Sequence, residues 1–293
     1  MKCMHPMSLK KGDSYIGVPC GRCMPCKVNH SQDWTFRIEQ EQKHATTAHF
    51  ITLTYSENEI TRNDSGHGVL VKTDVQKFLK RLRKSITTYE QAVGNHLKFS
   101  QAMRFPAVKY YLCGEYGEES YRPHYHAIIF NVPLETLKQI EIIWNHGHVK
   151  VGTVTHASIS YVTKYITKVD TRDLTLRDLT PPFNLMSKGL GGSYVSSETK
   201  EYHSRIETKL TIKKQYEQRL PKYYHDKVHD LSDFRTKLEI ERYKKLKANA
   251  IQELEDAKYK ELREKGVDLL QHDRQERQAI INKFNQNNKR KKL

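Results

Sequence analysis

The stretch His49-Phe50-Ile51-Thr52-Leu53-Thr54-Tyr55 alternates apolar and polar positions and is built from strand-forming residues. Side chains leave a strand on opposite faces in turn, so this pattern predicts a half-buried strand. Strands are predicted likewise over Val108–Cys113, His124–Val132 and His148–Thr155. Helical spacing appears between them. Trp34, Phe36 and Ile38 are the expected buried contacts of a helix over Ser31–His44. Val75, Phe78, Leu79, Leu82 and Ile86 form the apolar face of another, opposite a basic face of Lys77, Lys80, Arg81, Arg83 and Lys84. Thr73, with Gln76 three residues on, reads as its cap. Leu134–Trp144 predicts a third helix. Ser158 or Ser160 is expected to cap a fourth, running through Tyr161, Tyr165 and Lys168. Asn63 to Gly68 reads as a turn, Pro181-Pro182 as the end of the ordered core pattern, and Ser187 to Gly192 as a flexible loop rich in backbone N–H groups.

Beyond about Glu201 the pattern changes. Charges dominate, glycine nearly vanishes, and residues 200–293 carry 25 Lys+Arg against 16 Asp+Glu. Leu238, Tyr243, Leu246, Ile251, Leu254 and Leu262 make an intermittent helical stripe that is not a clean heptad. Long charged helices are expected there, ending in a disordered basic tail, Lys289-Arg290-Lys291-Lys292. The expected organisation is a Cys-rich leader over 1–30, a compact domain over 31–195, and a basic, largely helical extension over 196–293.

Composition narrows the partners. The apolar fraction of 37% is low for one core of 293 residues, and the net charge of +16 favours polyanions, nucleic acid first. No apolar run approaches the roughly 20 residues of a spanning helix, so no membrane role is expected. Met1-Lys2-Cys3-Met4-His5-Pro6 lacks the apolar segment of a secretory signal, and the protein is expected to stay in the cytoplasm where it is made. No G-x-x-x-x-G-K-[ST] sequence occurs, which excludes a P-loop helicase.

His124 and His126 lie one residue apart on a predicted strand, hence on one face, and such a pair can hold a metal ion. Glu115, nine residues earlier, can reach the same ion if the two strands are neighbours. Two imidazoles and a carboxylate accept Mg²⁺ or Mn²⁺ when phosphate oxygens complete the shell. His146-Gly147-His148 repeats the spacing but straddles a turn glycine, and is read as structural. Tyr161, Lys164, Tyr165 and Lys168 share one side of their helix, and Val162, Ile166 and Val169 face the sheet. A metal beside two tyrosines is equipment for two successive phosphodiester transesterifications through a covalent tyrosine intermediate. The lysines can favour the phenolate and contact the phosphate.

Cys20, Cys23 and Cys26 form C-x₂-C-x₂-C, with Cys3, His5 or His30 as the fourth ligand of a structural zinc site. The spacing also resembles the start of a ferredoxin run, but position 30 holds no cysteine. Four of the five cysteines precede residue 27, which fits a metal site in a reducing cytoplasm better than a disulfide framework. Cys113 reads as a small buried residue.

His124-Tyr125-His126 resembles the His-hydrophobe-His motif of the HUH endonucleases, and Tyr161 to Lys168 their two-tyrosine motif. Cys20 to Cys26, Phe50 to Tyr55, Gly114-Glu115-Tyr116-Gly117, Arg122 to His126 and Met186-Ser187-Lys188-Gly189 follow in order over residues 1–195. This fuller pattern is similar to the rolling-circle initiators of the microviruses, small single-stranded DNA phages, especially the gokushovirus branch. The resemblance implies an α+β fold with an antiparallel sheet flanked by helices. It implies Tyr161 and Tyr165 as alternating nucleophiles, Lys164 as an assistant in the site, and Glu115, His124 and His126 as metal ligands. Thr52 and Thr54 fall in the family's first motif, as structural support or DNA contacts. The implied partners are viral single-stranded and replicative-form DNA, with helicase and polymerase from the bacterial host. A plasmid initiator, relaxase or transposase would use the same chemistry. A noncatalytic zinc-containing DNA-binding protein would share the charge and the cysteines, but not the paired tyrosines.

Overall fold

The computed structural model describes residues 3–11, 14–97, 106–117, 120–168, 178–203, 209–213, 216–229 and 233–289. They form two compact units, residues 27–194 and residues 1–26 with 195–293. The first elements are β1 (Met7–Lys11), β2 (Ser14–Val18), α1 (Met24–His44), β3 (Ala48–Thr54) and α2 (Lys72–Leu97). Next come β4 (Lys109–Tyr116), β5 (Pro123–Phe130), α3 (Leu134–Lys138), α4 (Ile140–Trp144), β6 (Val149–Thr153), α5 (His156–Lys168) and β7 (Phe183–Met186). Last are α6 (Ser197–His203), β8 (Lys209–Lys213), β9 (Tyr216–Arg219), α7 (Lys222–Val228), α8 (Phe234–Glu264) and α9 (Leu269–Lys289). Residues 290–293 of the basic tail, and Val169, lie outside the described residues.

In the 27–194 unit, five strands form one sheet in the order β6-β3-β5-β4-β7, antiparallel throughout. The chain is thus α+β, an antiparallel sheet flanked by helices. Alternation divides its side chains between two cores. Ile51, Leu53, Leu112, Tyr125, Ala127 and Ile129 face α2, whose Val75, Phe78, Leu79, Leu82 and Ile86 are all buried, together with Ile140, Ile143 and Trp144 of α4. Tyr111, Cys113, Ile128 and Phe130 face Trp34 and Ile38 of α1 and Ile159 and Val162 of α5. The basic face of α2 is partly engaged: Arg81 donates to the Ile143 and Trp144 carbonyls at 2.7 Å, closing the end of α4.

Several boundaries differ from expectation. α1 starts at Met24 rather than Ser31, and α2 at Lys72, so Thr73 is already helical and caps nothing. Leu134–Trp144 breaks into α3 and α4 at Gln139. The cap of α5 is neither Ser158 nor Ser160 but Thr155: its Oγ1 accepts from the Ser158 N–H at 3.2 Å while Ser158 Oγ accepts from the Thr155 N–H at 2.8 Å. This is a capping box with serine in the third helical position. Pro181-Pro182 does not end the core, because β7 follows at once and pairs with β4 along Tyr111–Gly114. Ser187 to Gly192 is tied down: Arg37 donates to the Leu190 carbonyl at 2.8 Å, and Gly191 N–H to buried Glu41 at 2.8 Å. Burying Leu190 fastens a segment whose composition reads as loose.

Gly147 is where β3 and the chain entering β6 come closest. Its φ is +143°, and a Cβ there would lie 2.2 Å from Ser56 N and 2.5 Å from Thr54 O. Those atoms are backbone and bond His146 and His148 in the ladder, so they cannot yield. Gly147→Ala is expected to destabilise the unit by about 3 kcal/mol, read as a lowered urea midpoint with unchanged slope.

In the other unit, β1–β2 and β8–β9 are hairpins that the charge pattern conceals. α8 and α9 form an antiparallel pair. Gly266 (φ +70°) ends α8, with its N–H on the Arg263 carbonyl and the Val267 N–H on the Leu262 carbonyl. That is a Schellman stop. Asp268 then caps α9 through the Leu270 N–H at 2.9 Å.

Candidate functional site

β4 and β5 pair with Glu115 directly opposite His124 and Cys113 opposite His126. β4 extends past the expected Cys113 through Glu115 because Gly114 leaves room behind it. A Cβ at Gly114 would meet the Tyr125 ring at 3.1 Å and Leu70 at 3.2 Å. Tyr125, pointing away from the histidines, is anchored on the far face by Tyr55 (2.9 Å) and the Val71 N–H (2.8 Å).

Glu115, His124 and His126 therefore converge. Glu115 Oε1 lies 3.0 Å from His124 Nε2 and 2.9 Å from His126 Nε2. Each ring is oriented through its other nitrogen. His124 Nδ1 donates to the Arg122 carbonyl at 3.0 Å, which fixes Nε2 as the inward atom. His126 Nδ1 lies 2.9 Å from Thr52 Oγ1, and its ring stacks on Phe50 at 5.6 Å. Burial pushes the Glu115 carboxyl up, but hydrogen bonds from His124 and His126 outweigh it and hold the carboxyl below the usual range. Burial likewise pulls His124 down, and its bonds to Glu115 and the Arg122 carbonyl carry it above the usual value. The second carboxylate oxygen, Glu115 Oε2, is buried with no hydrogen-bond partner among the described residues. A buried anionic oxygen without a donor beside two inward imidazole nitrogens fits a divalent cation.

Tyr161 comes to this cluster from α5. Its hydroxyl is 3.4 Å from both Glu115 Oε1 and His126 Nε2, and its ring meets His126 and Phe50 edge-on. The residue is 41% exposed, so the hydroxyl is accessible from outside. α5 is held by buried Ile159 and Val162 and by Thr163, whose hydroxyl meets Thr35 at 2.9 Å and Ser31 at 3.1 Å. Lys164 follows on the next turn, half-buried. Tyr165 and Lys168 lie in the same helix, but their side chains are outside the described residues.

Two neighbours went unread in the sequence. The hydroxyl trio of Ser31, Thr35 and Thr163 joins residues 128 and 132 positions apart, and no local signal betrays it. Lys150 pairs with Thr52 across β6 and β3, which sets it on the same sheet face as His126. Its alternation within β6 was legible, but not its register. Thr52 acts on His126 rather than on the outside, and Thr54 Oγ1 donates to the His148 carbonyl at 3.1 Å. Thr52→Val should keep the fold and lower divalent-ion affinity roughly 10–100-fold, read by calorimetric titration with Mn²⁺.

The repeated spacing at His146 and His148 gathers nothing. His146 pairs with Glu59 at 3.0 Å and packs on Trp144, whereas His148 faces Glu141 at 3.4 Å. The glycine between them forces the backbone turn that separates their partners.

The thiols of Cys3, Cys20, Cys23 and Cys26 do assemble, their sulfurs all within 4.8 Å of one another. Cys20 N–H donates to Cys3 Sγ at 3.3 Å, Cys23 N–H to Cys20 Sγ at 3.3 Å, and Met4 N–H to Cys23 Sγ at 3.4 Å. The backbone N–H groups of Cys23 and Arg22 bring the Cys20 thiol down to about 6. N–H donors stabilise the thiolate, the form that binds metal, so four sulfurs fit a tetrahedral ion. Of the other ligands considered, His30 instead accepts from Trp34 Nε1 at 3.0 Å. Cys113 is buried in the sheet.

Comparison with known proteins gives this geometry a lineage. Residues 48–170 match a family model described as a replication-associated protein of the ORF2 type. The replication-associated protein ORF2 of Spiroplasma virus 4 is 29% identical over 268 residues, spanning 76% of this chain and 79% of that protein. The replication-associated protein VP4 of Bdellovibrio phage phiMH2K is 30% identical over 165 residues, covering 51% of this chain and 48% of its own. The replication-associated protein ORF4 of Chlamydia phage 1 is 22% identical over 256 residues, 78% of this chain and 58% of that one. No solved structure matches the chain. Through the matched segment, which carries Glu115, His124, His126, Tyr161 and Tyr165, the chain belongs to the ORF2-type family of replication-associated proteins.

Proposed function

We propose that this protein initiates rolling-circle replication of a small single-stranded DNA phage, as a metal-dependent endonuclease and strand transferase of HUH type. The observation that carries the reading is the meeting of the Tyr161 hydroxyl with Glu115, His124 and His126. A divalent ion, Mg²⁺ or Mn²⁺, held by those three residues would polarise the scissile phosphate and offset charge developing on its oxygens. Tyr161 Oη attacks phosphorus, the bond to the 3′ oxygen breaks, and the 5′ phosphate stays on the tyrosine. The phenolic proton passes toward Glu115 Oε1, which the hydroxyl already faces, and the departing 3′ oxygen gains a proton. The freed 3′-OH can prime a polymerase. Attack by Tyr165 after a round of synthesis would release and rejoin the displaced circle, with Lys164 beside the phosphate.

The net charge of +16 supports DNA as partner, with affinity that falls steeply with salt. A separate helicase and polymerase would come from the bacterial host, in whose cytoplasm the protein would act. No helix among the described residues is long and apolar enough to cross a membrane. The four-cysteine cluster holds zinc in this reading, and metal analysis tests it: a Cys23→Ser protein with undiminished zinc refutes that assignment.

The decisive assay incubates the full chain with single strands tiled along the encoding genome and Mg²⁺ or Mn²⁺, followed by denaturing electrophoresis. A covalent adduct at one site, dependent on the divalent ion, is expected. Sequence-specific binding with no adduct and no cleavage would leave a noncatalytic DNA-binding protein.

A further inference from the structure

Helix α8 has two apolar sides, and α9 covers one of them. On the covered side Tyr259 donates to Asp273 at 2.9 Å, and Lys258 pairs with Glu276. At about 100° per residue, Leu246, Ala250, Leu254 and Ala257 fall on the opposite side. Their spacings of 4, 4 and 3 residues keep that stripe nearly parallel to the helix axis. Leu246 is 68% and Leu254 73% exposed. Two bare leucines flanking an exposed alanine, midway along a charged 31-residue helix, make a seam without a mate among the described residues of this unit.

Charge says what fits it. Residues 234–249 hold six Lys+Arg against two Asp+Glu, and residues 250–264 hold three against five. Two such helices side by side in one direction would set basic half on basic half. Turned antiparallel, each basic half lies on the other's acidic half, and the helix dipoles oppose. A two-fold axis at Ala250 then brings Leu246 of one copy toward Leu254 of the other, in a contact that uses the same surface twice. We propose that α8 is a self-association helix whose stripe receives a second copy of this chain, antiparallel. The proposal is independent of the cleavage reading.

Sedimentation of the full chain tests it. The mass should rise from monomer to dimer between about 1 and 100 µM, the range in which a contact of this modest size dissociates. Leu246→Glu/Leu254→Glu should remain monomeric with unchanged helicity by circular dichroism. Reversing the acidic half (Glu253→Lys/Glu261→Lys) or the basic half (Arg235→Glu/Arg242→Glu) should each abolish association, and mixing the two should restore it. These exposed charge swaps keep the test valid if the leucine variant misfolds. A chain that stays monomeric at the upper concentration, a leucine variant that still dimerises, or a mixture that does not recover would each overturn the proposal. The last two outcomes would assign the stripe to another partner.

Discussion

Tyr161→Phe is expected to abolish the covalent protein–DNA adduct and to slow strand cleavage at least ~10³-fold. The magnitude follows from losing the attacking atom itself rather than a group that assists it. The fold should be indifferent. Tyr161 is largely outside the core, and its contacts with Phe50 and His126 are ring contacts that phenylalanine keeps. Metal binding should also persist, because the hydroxyl stands 3.4 Å from Glu115 and His126 whereas those residues lie 2.9 Å from each other. Denaturing electrophoresis of each single variant divides the two tyrosines. An adduct undiminished in Tyr161→Phe but lost in Tyr165→Phe would transfer the first nucleophilic step one turn along α5. An adduct surviving in the double variant would remove both.

The parts of the site that were readable from sequence share a physical cause: they are periodic. His124 and His126 announce one face through a period of two, and Tyr161 and Tyr165 one side of a helix. Glu115 was within reach of inference because antiparallel neighbours joined by a short connection must pair near it. The apolar positions of α2 were readable for the same reason, each of the five being buried. What stayed hidden depends on register or on distant contacts. β7 follows two prolines, which mark a break locally and say nothing of an edge strand that β4 can accept. Thr155 was passed over as a cap because two serines downstream offered the same chemistry. The hairpins outside the sheet unit lie in segments dominated by cysteines or by charge, where four or five alternating residues do not stand out. His146-Gly147-His148 shows the opposite hazard. Its spacing equals that of the true cluster, and only the backbone approach at Gly147 reveals that the two rings serve different carboxylates.

Glu115→Ala should separate metal use from DNA binding. The carboxylate is the sole anionic group among the three converging side chains, so its loss leaves two neutral donors that hold a divalent ion weakly. At limiting Mn²⁺ cleavage should fall by about 10³-fold, the several kcal/mol that a correctly held ion contributes, and rising Mn²⁺ should recover part of it. DNA affinity measured without metal should move the other way or not at all. With no ion present, Glu115 is a buried negative charge, its carboxyl held below the usual range, aimed at the place a phosphate must occupy. Removing it takes away repulsion, so Glu115→Ala should bind single-stranded DNA at least as tightly as the parent chain. A merely structural role predicts that binding and cleavage weaken together. Equal cleavage at limiting Mn²⁺ would exclude Glu115 from the metal site, and would leave its unpartnered Oε2 without a ligand to explain it.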